Sequence, residues 1–148
     1  MNHEHFMSLA LTLAREAAAE YETPVGCVIV SPDGHVIGAG RNRREKEKCA
    51  VAHAEIEAIS VACKTTGDWR LDGATLYVTL EPCPMCAGAI IMSRISSVHY
   101  GARDERTGSC GSVMNLFMEP YGHTTSITGG LLADECSALL TGFFKGLR

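Results

Sequence analysis

Apolar residues recur at helical spacing from about His5 to Tyr21. Phe6, Leu9, Leu13 and Ala17 share one face, while Arg15, Glu16 and Glu20 fall elsewhere. Thr23-Pro24 ends that helix. A continuous apolar run, Val25 to Val30, then predicts a strand, and Ser31-Pro-Asp-Gly34 predicts a hairpin into a second strand over His35 to Gly40. A polar loop follows from Arg41 to Lys48. Ile56, Ile59 and Cys63 mark the stripe of a second helix that starts near Val51 and stops at Gly67. Ala74 to Leu80 reads as a strand, broken by Glu81-Pro-Cys-Pro84. Met85 to Arg94 is apolar nearly all round, which predicts a buried third helix. Short strands are expected at Val98 to Gly101 and His123 to Thr128. A last helix is expected over Leu131 to Lys145, with Leu132, Cys136, Leu139 and Phe143 along one side.

Helix, hairpin, then alternating helix and strand require crossover connections, so the fold class is α/β with a mixed sheet between helices. There is no internal repeat, low-complexity tract or linker. At 148 residues, 46% apolar and 20% charged, the chain is expected to form a single three-layer domain over 1–148. Its apolar runs fall short of a membrane span, and Met1-Asn2-His3-Glu4-His5 lacks the basic start of an export signal. The expected location is therefore cytoplasmic, where seven cysteines are core residues or metal ligands rather than disulfides. A formal charge of −4 excludes a generally basic, DNA-coating protein. Local basic patches remain open to it. Arg41, Arg43, Arg44, Lys46 and Lys48 form one, with Glu45 and Glu47 interleaved; Arg94, Arg103, Arg106, Lys145 and Arg148 are further candidates.

The chemistry concentrates in His53-Ala54-Glu55 and Pro82-Cys83-Pro84-Met85-Cys86, each at an expected helix start. Zinc favours thiolate and imidazole, and a C-x-x-C pair on a first helical turn brings two sulfurs toward one point. His53 would complete three protein ligands and leave the fourth position open for water, which distinguishes a catalytic zinc from a structural one. Two thiolates already neutralise the metal's charge, so a carboxylate two residues beyond the histidine has a purpose: Glu55 can accept and deliver protons. Two blander readings stand beside this one. Cys83 and Cys86 could form a redox pair, against which Pro82, Pro84 and the matched His-x-Glu count. A closed structural zinc could recruit Cys49, Cys110 or His99, which leaves Glu55 without a purpose. The remaining cysteines read as core residues, and the glycines of Arg106-Thr-Gly-Ser-Cys-Gly-Ser112 match no phosphate loop.

The spacing H-x-E…P-C-x-x-C is the zinc deaminase signature. Beyond it, the chain resembles the bacterial tRNA-specific adenosine deaminases through nearly its whole length. The carriers are Pro24-Val-Gly26, Gly40-Arg-Asn42-Arg43, Ala52-His-Ala-Glu55, Leu76 to Cys83, Met85-Cys-Ala-Gly-Ala89, Ser93-Arg-Ile95, Gly101-Ala-Arg-Asp104, Thr107-Gly108, Gly111-Ser112, Gly130 to Cys136 and Phe143-Phe144. The resemblance implies a cytidine deaminase-like α/β/α sandwich on a five-stranded mixed sheet, and a homodimer whose RNA-binding surfaces draw on both subunits. It implies conversion of adenosine to inosine at the wobble position of tRNA, chiefly the arginine acceptor with an ACG anticodon. His53, Cys83 and Cys86 would hold one zinc per subunit, with a catalytic water as fourth ligand, and Glu55 would shuttle protons. The implied partner is a tRNA anticodon loop, with no membrane and no DNA. Asn42 matches the residue that hydrogen-bonds the flipped base, and Asp104 the one that contacts the RNA backbone. Phe143 and Phe144 match the RNA-facing wall, and Ala54 and Arg103 are counted with the substrate-binding set. The same zinc core would also serve a deaminase of a free base or nucleotide, of guanine or cytosine type, or a non-catalytic zinc scaffold, which Glu55 argues against.

Overall fold

The computed structural model describes residues 2–147; Met1 and the candidate cation Arg148 lie outside the described residues. Helix α1 spans His3–Ala19, with the Asn2 side chain capping its first turn by accepting from the His5 N–H. Strands β1 (Gly26–Val30) and β2 (Val36–Arg41) form the expected hairpin. Then come α2 (Ala54–Thr66), β3 (Thr75–Leu80), α3 (Pro84–Met92), β4 (Ser97–Ala102), a 3₁₀ turn at Leu116–Met118, β5 (Ser126–Thr128) and α4 (Ala133–Gly146). The sheet order is β2-β1-β3-β4-β5. β1 runs antiparallel to both its neighbours, whereas β3, β4 and β5 are parallel, so the sheet is five-stranded and mixed, as expected.

Alternation along the strands fills two cores. Val28, Val30 and Tyr77 pack with Phe6, Met7, Ala10 and Leu11 of α1 and Cys136 of α4. Cys27, Ile29, Leu76, Val78 and Val98 pack with Ala54, Ala58 and Ala62 of α2 and Ile90 of α3. The sheet is thereby sandwiched, with α1 and α4 on one face and α2 and α3 on the other.

Three expectations need correction. The buried face of α2 is Ala54, Ala58 and Ala62, while Ile56, Ile59 and Cys63 lie beside it, half-buried. The reason is close approach. A Cβ at Gly38 or Gly40 of β2 would collide with backbone of α2, so helix and strand meet through their smallest residues and the larger side chains are turned aside. The third helix is buried on one face only, through Cys86, Ala87, Ile90 and Ile91; Met92 is 68% exposed. The strand expected at His123 starts three residues later, at Ser126, because its partner β4 begins only at the paired Ser97; upstream, the His123 ring bonds the Ile95 carbonyl at 2.8 Å.

Candidate active site

Helices α2 and α3 both begin at the same end of the sheet, and the residue at each helix start keeps its side chain free. His53 is the N-cap of α2 and Cys83 the N-cap of α3, both with extended backbone, and neither side chain caps its own helix. Pro84 holds the first position of α3, where a missing N–H costs nothing. This arrangement points three side chains at one place. His53 Nδ1 lies 3.7 Å from Cys83 Sγ and 3.5 Å from Cys86 Sγ, and the three donor atoms all fall within 4.8 Å of one another.

Those distances test the fit to zinc. Tetrahedral bonds of about 2.3 Å to sulfur and about 2.0 Å to nitrogen place neighbouring donors roughly 3.6 Å apart. The Nδ1–Sγ separations match that edge without rearrangement. The electrostatics favour the thiolate at Cys83, while a hydrogen bond with Cys83 and burial push the Cys86 thiol well up. A hydrogen bond from Cys86, and then one from His53, hold the Cys83 thiol down to about 4, against the opposing effect of burial. The Cys83 sulfur in turn raises His53. Two sulfurs and an imidazole at helix starts suit a borderline-soft cation, and among the described residues no other group of three donors converges this way.

Glu55 sits in the first turn of α2, 4% exposed, and burial pushes its carboxyl up to about 7. Its side chain and the two ligand-bearing helix starts border a cavity of about 690 Å³. Of the residues expected from sequence, Asn42, Ala54, Arg103, Asp104 and Phe144 line this cavity together with His53, Glu55 and Cys83. Cys86 lies buried behind them. Phe143 does not line it; its ring packs edge-on against Phe144 at 5.4 Å, with Leu140 taking the place beside Phe144 at the mouth.

Asn42 is buried and already engaged. Its Nδ2 donates to the Thr23 carbonyl at 3.1 Å and its Oδ1 accepts from the Arg44 N–H at 3.2 Å, leaving one N–H and one lone pair for a substrate. Asp104 is engaged too: its carboxylate accepts from the N–H groups of Arg106 and Thr107 and from the Thr107 hydroxyl, which folds its own loop. Arg44 and Arg106, from the basic patches seen in the sequence, also line the cavity, as do Thr23, Glu81 and Thr107, which carried no role in the sequence reading. Glu81 left a signal there, an acid closing an apolar strand immediately before Pro-Cys.

The sequence model of the family described as the cytidine and deoxycytidylate deaminase zinc-binding region matches residues 1–102. The chain is 46% identical to a tRNA-specific adenosine deaminase of Bacillus subtilis over 98% of its length and 90% of the relative's. It is 44% identical to the protein of that name from Agrobacterium fabrum, over 97% of this chain and 95% of the other. Among solved structures, one from a study of A-to-I editing by tRNA:A34 deaminases at the wobble position superposes with a TM-score of 0.87 at 44% identity, covering 92% of this chain and 99% of that one. A guanine deaminase from Nitrosomonas europaea superposes with a TM-score of 0.83 at 30% identity, over 95% and 83%.

Proposed function

The chain belongs to the cytidine and deoxycytidylate deaminase zinc-binding family, and from that premise we propose that it is a zinc-dependent hydrolase converting adenosine to inosine at the wobble position of tRNA. The observation that carries the reading is the convergence of His53, Cys83 and Cys86 beside the buried Glu55, at the floor of a cavity whose mouth bears Arg44, Arg103, Arg106 and Phe144. A free base would need only the floor. Guanidinium groups and an aromatic ring at the rim suit the phosphates and stacked bases of a splayed loop.

His53, Cys83 and Cys86 hold the metal. When bound, zinc supplies Lewis acidity that makes water a competent nucleophile near neutral pH. Glu55 does the proton work: its carboxylate takes a proton from the attacking water, delivers one to the purine ring nitrogen as C6 is attacked, and carries another to the departing amine. The products are inosine and ammonia, and Glu55 ends as it began. A carboxyl raised toward neutrality suits both halves of that exchange. The adenosine must leave its stack to reach the floor, which costs less in an anticodon loop than in a duplex. Asn42 supplies its unused N–H and lone pair to the flipped base, Ala54 bounds it from the start of α2, and Asp104 and Arg103 meet the backbone beside it. Phe144, backed by Phe143, walls the loop.

The arginine acceptor with an ACG anticodon is the chief substrate, the chain acts as one domain over 1–148 in the cytoplasm, and the working form is a homodimer. Support for the dimer comes from α3, whose face of Met85, Gly88, Ala89 and Met92 is left partly exposed beside the 3₁₀ turn carrying the 80% exposed Met118. The test is inosine formation in an ACG anticodon stem-loop, with free adenosine, guanine and cytidine in parallel. Inosine at the wobble position alone is expected. Turnover of a free base without editing would overturn the substrate while keeping the zinc chemistry.

A further inference from the structure

Two glutamates outside the zinc site are almost fully buried, at 1% exposure each, and neither forms an ion pair among the described residues. Glu22 accepts from the backbone N–H groups of Glu45 at 3.0 Å and Lys46 at 2.7 Å. Glu81 accepts from the N–H groups of Asp104 at 3.0 Å, Cys110 at 2.8 Å and Ser112 at 3.2 Å, and from the Ser112 hydroxyl. A buried carboxylate ordinarily draws in an arginine. Here arginines are close in sequence on both loops, yet backbone donors do the neutralising.

Apart from Lys48, which neither forms an ion pair among the described residues nor lines the cavity, the cations of those loops then fall into two sets. Arg41 pairs with Glu20 and Glu16, Arg43 with Glu57, Lys46 with Glu20 and Arg103 with Glu105. Arg44 and Arg106 are exposed, line the cavity, and have no side-chain ion pair among the described residues. Each stands within two residues of an N–H that a buried glutamate grips: Arg44 beside Glu45, Arg106 beside Asp104. Both loops line the one cavity, the first through Asn42 and Arg44 and the second through Arg103 to Thr107. Glu22 is followed by Thr23, whose carbonyl holds Asn42, and Glu81 is two residues from Cys83, with the Ser109 N–H bonded to the intervening Pro82 carbonyl at 2.8 Å. Both anchors therefore tie an irregular loop to segments that border the floor.

We propose that Glu22 and Glu81 are positioning residues for RNA binding, each clamping one loop through its backbone so that one unpaired guanidinium, Arg44 or Arg106, is presented to a substrate phosphate. This rests on the RNA reading above. It also accounts for how a chain of net charge −4 offers a basic mouth: two of its carboxylates are turned inward onto amide groups and take no part in neutralising those arginines.

The test crosses two anchors with two arginines. Glu22→Gln and Glu81→Gln keep the shape but turn an amide N–H toward donors, so each should release its loop. On an anticodon stem-loop, each is expected to raise KM about tenfold while kcat falls less than about threefold. Glu81→Gln should erase the KM effect of Arg106→Ala and leave that of Arg44→Ala intact; Glu22→Gln should do the converse. Simple additivity in all four combinations, or loss of both arginine effects in either background, overturns the proposal, since general destabilisation would not distinguish the loops. If Glu81→Gln fails to fold, Ser112→Ala removes one donor from the same cradle and should show the same selectivity at smaller size. Amide exchange provides a reading independent of substrate. Protection lost at residues 45–46 in Glu22→Gln, and at 104, 110 and 112 in Glu81→Gln, supports the anchoring; unchanged protection overturns it. A wild type that spares the stem-loop but deaminates a free purine would sink the RNA reading separately, with the exchange result still deciding the anchors.

Discussion

The floor and the mouth of the cavity are built on opposite principles. At the floor, His53, Glu55, Cys83 and Cys86 stand on the first turns of two helices, and the sheet and the small-residue seam between α2 and β2 fix where those helices begin. Main-chain geometry alone brings the donors together. At the mouth, Arg44, Arg103 and Arg106 ride on loops without regular structure, and Phe144 lies near the end of α4. Their placement depends on side-chain acceptors of backbone N–H groups: Glu22 and Glu81 reach in from distant segments, while Asn42 and Asp104 fold the loops they belong to. Chemistry that tolerates little displacement is set on rigid elements, and recognition of a flexible ligand is set on anchored loops.

The sharpest way to break that division is at the floor. His53→Ala or Cys86→Ser is expected to abolish turnover, with a fall of about 10⁴ or more, because a site reduced to two protein ligands loses the metal as well as its orientation. Elemental analysis should read one zinc per chain in the wild type and well under one in the variants; full metal occupancy with intact activity would remove these residues from the site. Glu55→Gln comes next. It should keep zinc and the cooperative unfolding of the wild type, yet lose about 10³ in kcat with little change in KM, since the carboxylate moves protons and does not hold the substrate. Loss of zinc in this variant would make Glu55 part of the metal site instead.

The two regions also differ in how far they could be read from residues alone. The floor is a spacing: H-x-E and P-C-x-x-C on helix starts imply convergence before any coordinate is known. The layers and the mixed sheet follow from the order of elements. What spacing could not supply is depth. The stripe Ile56, Ile59 and Cys63 looks more apolar than Ala54, Ala58 and Ala62, yet the alanines face the core, because Gly38 and Gly40 admit only small neighbours and that pairing is a contact between distant segments. The nearly all-apolar α3 reads as buried for the same reason, its half-exposed face becoming visible only once the layers are stacked. At the mouth, five basic residues between Arg41 and Lys48 are indistinguishable by composition. The fold sorts them, committing Arg41, Arg43 and Lys46 to Glu16, Glu20 and Glu57; of Arg44 and Lys48, which form no ion pair among the described residues, Arg44 alone lines the cavity.

Smaller effects belong to the mouth. Arg44→Ala and Arg106→Ala are each expected to raise KM for the stem-loop about tenfold, with kcat carrying much less of the loss; an equal loss in kcat would assign these arginines to the chemistry rather than to docking.

The last prediction follows from the same contrast. A guanidinium that meets a phosphate displaces counterions, so binding through the mouth must weaken as salt rises, while proton transfer at a buried carboxylate has no such dependence. For a single-stranded loop, log KM should climb with log salt by about 0.7 per phosphate neutralised. Arg44→Ala and Arg106→Ala should each lower that slope by about one such step, and Arg41→Ala, whose guanidinium already pairs with Glu20 at 2.7 Å, should leave it unchanged. Equal slopes in all four proteins would mean that the RNA is held by shape and stacking against Phe144, not by the unpaired arginines. A slope lowered by Arg41→Ala as well would mean that the ion pairs of the loop yield to the substrate.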